Sequence, residues 1–237
     1  MIDDTTDTDL IFDIETAPLA DAAEYLEPAS APANYKDPEK IAAYIADKDR
    51  DALAKAALDP DLCRIVAIAV TGHYNVSSLI GEGHQVRICT TPDEEADALS
   101  WFWETARRAR MIGFNCLDFD APVLLRRSLY LNVTPTITVS DLNKYRMGKV
   151  VDLMQVLAFG GKLKYRSLAF YCRRLGITVK DEINGSDIGA LVEAGDWDGV
   201  ESHVRADAEK TRRLARRMGI CGTPTINAGY GVLAVTA

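Results

Sequence analysis

The sequence predicts a single α/β domain on three grounds. Short apolar, β-branched runs alternate with stretches of helical spacing through the first half, the last third is helical in its periodicity, and 237 residues with 48% hydrophobic content suffice for one sizeable core. The expected division is one domain over residues 1–218, carrying an acidic, partly helical insertion over 17–60, followed by an uncharged tail over 219–237.

The first strand is Leu10-Ile11-Phe12, ending in Asp13-Ile14-Glu15. Side chains alternate along a strand, so Asp13 and Glu15 emerge on one face, close enough to share an ion. Residues 17–60 are rich in Ala, Asp, Glu and Pro and predict helices over 38–46 and 49–58. Runs over 64–71, 76–80 and 85–89 predict three successive strands, hence an antiparallel meander. Thr91-Pro92-Asp93-Glu94 has the form of a capping box, and Leu99, Phe102, Trp103 and Ala106 follow at helical spacing. A strand over 111–114 and a helix over 119–130 come next. Helices over 152–158, 167–175, 186–194 and 200–218 complete the chain, the second and fourth of them closed by Gly176 and Gly219.

No apolar run approaches the roughly 18 residues that span a bilayer, and the acidic start is unlike a secretory signal, so a cytoplasmic, membrane-free protein is expected. The five cysteines are dispersed without a CxxC pair and read as small buried hydrophobes of a reducing compartment. With only three histidines, any metal must lean on carboxylates, whose oxygens suit Mg²⁺ or Mn²⁺. The net charge of −8 argues at first against a nucleic-acid partner. Its distribution qualifies the point. Residues 1–60 hold 15 acidic and 5 basic side chains, while residues 61–237 hold 20 acidic and 22 basic. Basic clusters stand at Arg107, Arg108 and Arg110, at Lys162, Lys164 and Arg166, and at Arg212, Arg213, Arg216 and Arg217, although each taken singly reads as a solvated face.

Three segments carry chemistry. Asp13-Ile14-Glu15 is weak by itself, since the same spacing recurs at Asp37/Glu39, Asp93/Glu95 and Asp207/Glu209. Its placement at the end of a buried strand strengthens it, because two carboxylates there are costly to desolvate without cations. The second segment runs from Gly113 through Asn115, Asp118, Phe119 and Asp120 to Pro122, where a strand turns into a helix. Asp118 reads as a helix cap. The third is His203-Val204-Arg205-Ala206-Asp207 in the last helix, where residues four apart share a face beside the apolar stripe of Val200, Val204, Thr211, Leu214 and Met218. A lone histidine there is more often packed than catalytic, with Asp207 as its hydrogen-bond partner.

At these segments the chain resembles the DEDD superfamily of 3′-to-5′ exonucleases. Asp13-Ile14-Glu15-Thr16 matches the first motif, D-x-E-T, and Asn115 through Asp120 matches the second, N-x-x-x-F-D. Asp207 matches the third, in the variant with a tyrosine four residues earlier, but that position holds His203. Within the superfamily it is most similar to the bacterial and phage proteins related to the proofreading domain of family-B DNA polymerases. Supporting stretches include Asn34-Tyr35-Lys36-Asp37-Pro38-Glu39-Lys40, Asp152-Leu153, Ser167-Leu168 and Leu175-Gly176-Ile177, so the likeness reaches about Met218.

The resemblance implies a ribonuclease-H-like fold, a mixed five-stranded sheet flanked by helices. It implies two divalent cations, Mg²⁺ or Mn²⁺, roughly 4 Å apart, one activating water and one stabilising the leaving 3′-oxygen. Asp13, Glu15, Asp120 and Asp207 are the expected ligands. Asp13 would touch both ions, Glu15 and Asp207 lie on the nucleophile side, and Asp120 acts mainly through the second ion. His203 is the expected general base, because an imidazole near 6.5 takes a proton more readily than a phenol near 10. Thr16, Phe114, Asn115, Phe119, Lys162, Lys164, Arg166 and Lys210 are the expected substrate contacts. Single-stranded DNA is the favoured substrate. RNA is the first alternative, since no 2′-hydroxyl sensor is identifiable, and a non-catalytic replication scaffold is the second.

Overall fold

The structure is a computed structural model and describes residues 8–74, 83–143 and 148–221. Its centre is a five-stranded sheet in the order β3-β2-β1-β4-β5. The strands are β1 (Thr8–Pro18), β2 (Cys63–Tyr74), β3 (His84–Ile88), β4 (Ala109–Gly113) and β5 (Val150–Asp152). β1, β2 and β3 pair antiparallel, whereas β4 and β5 join parallel to β1. This is the mixed, ribonuclease-H-like sheet that was expected. Among the described residues seven α-helices accompany it: α1 (Pro38–Lys55), α2 (Pro92–Ala106), α3 (Asp120–Tyr130), α4 (Leu153–Leu157), α5 (Leu168–Leu175), α6 (Ile188–Ala194) and α7 (Trp197–Arg217).

β1 is central because it is apolar on both faces. Leu10, Phe12 and Ile14 enter a core with Leu99, Phe102 and Trp103 of α2 and Leu124 of α3. Ile11, pointing the other way, packs with Leu214 and Ala215 of α7 and Leu153 of α4. Burying each large side chain of this kind contributes about 1.5–3 kcal/mol. One buried ion pair locks the first helical layer to the sheet. Glu95 of α2 accepts the Ile65 amide of β2 at 2.8 Å and binds the Arg127 guanidinium of α3 twice, at 2.7 and 2.9 Å.

Several boundaries differ from expectation. The helices predicted over 38–46 and 49–58 are one helix, α1, followed by a 3-10 turn at Ala56–Leu58. No glycine or proline interrupts Asp47 to Asp51, and ion pairs of Asp47 with Arg50 and Lys48 with Asp51 hold its exposed face. β5 was not foreseen, because three residues carry no periodicity; pairing with Met111 to Gly113 creates it. The strand predicted over 76–80 lies outside the described residues. All five cysteines are buried and unpaired. Among the described residues no helix is long and apolar enough to cross a membrane.

Candidate active site

The end of β1 opens the site. Its pairing with β4 stops at Ile11 opposite Ile112, while pairing with β2 continues past Glu15, opposite Ala67, to Pro18 opposite Cys63. Asp13 and Glu15 follow Ile11 at alternate positions and therefore continue the face covered by α7. The register shifts between Glu15 and Thr16. Thr16 is consequently buried elsewhere, donating its hydroxyl to the Ala57 carbonyl at 2.6 Å, and it does not line the cleft. The threonine of the first motif anchors the 3-10 turn at Ala56–Leu58 instead.

The second segment is shaped by a residue whose role the sequence did not reveal. Asp152 ends β5 and caps α4 through the Met154 and Gln155 amides, at 2.8 and 3.3 Å. Its two carboxylate oxygens also accept the Asn115 and Leu117 amides, both at 3.0 Å. Asn115 thereby holds a left-handed φ of 60°, which asparagine tolerates better than most residues. Gly113 is needed at the turn, since a Cβ there would lie 2.6 Å from the Cys116 Cβ. Asp118 is not the expected cap: the N-cap is Phe119, and Asp118 accepts the Gln155 side-chain amide at 3.0 Å. Asp120 opens α3, only 6% exposed. Burial pushes its carboxyl up to about 7; hydrogen bonds from its own amide and that of Ile14 oppose the rise, and repulsion from Asp152 and Asp207 adds to it.

α7 closes the cleft. Its Val200, Val204 and Leu214 are buried, and His203 and Asp207 follow the same stripe to the end of β1. The His203 ring lies between two carboxylates. Nδ1 stands 3.1 and 3.2 Å from the two oxygens of Asp181, and Nε2 stands 3.6 Å from Glu15 Oε1. Lys210 binds Asp181 at 2.5 Å and Asp207 at 2.7 Å, so it is committed inside the site rather than presented as a separate phosphate contact. Asp181 was missed because Lys180-Asp181-Glu182 looks like any charged loop; no local signal marks it.

Together these elements line a cleft of about 370 Å³ that includes Asp13, Glu15, Asp120, Asp181, His203 and Asp207. Phe114, Asn115, Phe119 and Lys210 line it as well. Phe114 also meets the Tyr171 ring edge-on, with centroids 6.3 Å apart. Lys162, Lys164 and Arg166 are not in the lining; they are exposed on the loop that leads into Ser167-Leu168-Ala169, which forms one wall.

Five carboxylates thus face one lysine and one histidine. Burial, and then repulsion from Asp120, Glu15 and Asp207, holds the Asp13 carboxyl well above the usual range. Glu15 is raised likewise, by burial and then by Asp207, Asp120 and Asp181. Lys210 offsets only part of this. Such a set fits hard divalent cations, which neutralise crowded carboxylates through oxygen ligands. The ligand atoms of Asp181, His203 and Asp207 lie within 4.8 Å of one another, which adds a second grouping of metal-ligand type.

Residues 57–221 match the model of a family described as "Predicted 3'-5' exonuclease related to the exonuclease domain of PolB". The family B DNA polymerase of the hyperthermophilic archaeon Pyrobaculum calidifontis has a similar fold, with a TM-score of 0.57 and 16% identity over 89% of this chain and 24% of that one. A product-bound exonuclease I aligns at a TM-score of 0.43 and 16% identity, over 89% of this chain and 43% of the other. The chain therefore spans about a quarter of the polymerase and under half of the exonuclease. None of the curated proteins matches it.

Proposed function

This chain belongs to the family of predicted 3′-5′ exonucleases related to the exonuclease domain of PolB, and we propose that it shortens single-stranded DNA from the 3′ end with the aid of two divalent cations. One observation carries the reading. Asp13, Glu15, Asp120 and Asp207 come from a strand end, a helix start and a distant helix, yet they line one cleft with His203. A non-catalytic module would gain nothing from keeping mutually repelling carboxylates together.

The four carboxylates would hold Mg²⁺ or Mn²⁺, which when bound polarises the phosphodiester and offsets charge on the leaving oxygen. The chain's own residues do the rest. His203 Nε2 accepts a proton from the attacking water as the water oxygen bonds to phosphorus. The bond from phosphorus to the 3′-oxygen breaks, and that oxygen leaves with the electron pair and is protonated from solvent. Phe114 and Phe119 offer faces to the terminal base and sugar, and the Asn115 side chain offers hydrogen bonds. The incoming strand follows the exposed loop of Lys162, Lys164 and Arg166. There Arg166 sits 5.0 Å over the Phe170 ring, and Tyr165 is tethered through Gln155 to Asp118.

The test is a 5′-labelled single-stranded oligonucleotide incubated with Mg²⁺ or Mn²⁺. Wild type should produce a ladder shrinking from the 3′ end, and Asp13→Ala should not. Binding without shortening under any divalent ion would refute catalysis. Parallel RNA and DNA substrates decide between the two sugars.

A further inference from the structure

We infer that Asp181 is a positioning residue, whose carboxylate holds the His203 ring with the proton on Nδ1 and leaves the Nε2 lone pair facing the cleft. The inference rests on the reading of His203 as the base, but it concerns a residue outside the three motif segments.

The geometry is specific. Both oxygens of Asp181 stand within 3.2 Å of Nδ1, while Nε2, at 3.6 Å from Glu15 Oε1, is too far for a good hydrogen bond. A carboxylate can only accept, so Nδ1 must donate. Asp181 is itself fixed from two further directions. The Ile183 amide donates to Oδ1 at 3.2 Å, and Lys210 donates to Oδ2 at 2.5 Å. The imidazole is buried at 4% exposure, so solvent does not compete for Nδ1. Around Nε2 there is room. A Cβ on Gly185 would be 3.8 Å away, an ordinary contact, and Gly185, Asn184 and Glu15 belong to the cleft lining. A second carboxylate orienting an imidazole by its far nitrogen is a recurrent way of fixing tautomer and aim.

This tautomer runs against the habit of histidine in water, where the proton on Nε2 predominates. The chain has three histidines, so His203 is assignable in ¹⁵N-histidine spectra by comparison with His203→Ala. In the full, metal-free chain at a pH where the ring is neutral, His203 should show a protonated Nδ1 and a bare Nε2. Asp181→Ala should return it to the Nε2-protonated form and lower kcat on single-stranded DNA about 10- to 100-fold with little change in KM.

A wild-type His203 protonated on Nε2 would overturn the inference, and so would an unchanged ring or an unchanged kcat in Asp181→Ala. The wild-type spectrum decides even if Asp181→Ala does not fold. A chain inactive on every substrate would sink the nuclease reading and leave the tautomer result standing, so the two failures are distinguishable.

Discussion

At the scale of single residues, the site is governed by carboxylates that the fold forces together. Asp120 illustrates the consequence for stability. Its carboxyl is raised to about 7 by burial, so between the usual carboxylate range and that value the folded chain binds a proton that the unfolded chain has released. Stability from this group is present below the unfolded value and is lost as pH rises through about 7. Metal-free protein should accordingly melt at a lower temperature above pH ~7 than below it. Added Mn²⁺ at a hundredfold excess over its Kd should restore about 2.7 kcal/mol. The same melts on Asp120→Asn should show a weaker pH dependence. For His203→Ala, the expected loss in kcat is about 10²- to 10⁴-fold, the range of general-base catalysis. Full activity across the pH range would remove His203 from that role.

At the scale of elements, two ion-pair groups hold helices to the sheet. Glu95 and Arg127, 2% and 6% exposed, join α2, α3 and β2. Removing one partner strands a buried charge, so Glu95→Ala should cost about 3–5 kcal/mol in urea unfolding. On the opposite layer Glu209 of α7 binds Arg212, Arg213 and His84 of β3, at 2.7, 2.6 and 3.0 Å. Burial alone would raise the Glu209 carboxyl, but the hydrogen bonds from Arg212 and Arg213 outweigh it and bring it down to about 2. Its stabilisation is therefore complete above the ordinary glutamate range and lost as pH falls toward about 2. Glu209→Gln should cost about 2 kcal/mol at neutral pH and almost nothing in strong acid, read from thermal melts. α1 and the short β5 show the limits of local periodicity. The first stays helical through a charged stretch that carries no apolar period, and the second exists only because β4 offers a parallel edge.

At the scale of the molecule, charge is distributed rather than balanced. The acidity of residues 1–60 leaves a slightly basic remainder, and the exposed Lys162, Lys164 and Arg166 lead toward the cleft wall. If this loop carries the strand, replacing both lysines with glutamine should raise KM for single-stranded DNA. It should also reduce the slope of log affinity against log salt by roughly 0.7 for each lysine–phosphate pairing removed, with kcat little changed. An unaltered salt slope would place the strand on another face.

Three parts of this protein were legible from the chain alone. The D-x-E-T and N-x-x-x-F-D segments and Asp207, in their order, pointed to the family of exonucleases related to the exonuclease domain of PolB, whose model the chain matches, and the alternation of apolar runs with helical spacing pointed to the α/β sheet. Strand alternation also put Asp13 and Glu15 on one face, because a pleat of period two is a local property. Tertiary structure decided what local rules cannot reach. It sent Thr16 away from the cleft through a register shift, used Asp152 rather than Asp118 to order the second segment, and paired His203 with Asp181. Those partners lie 37 and 22 residues apart in the chain. Distances of that kind are set by how strands and helices pack, and no spacing within a motif encodes them.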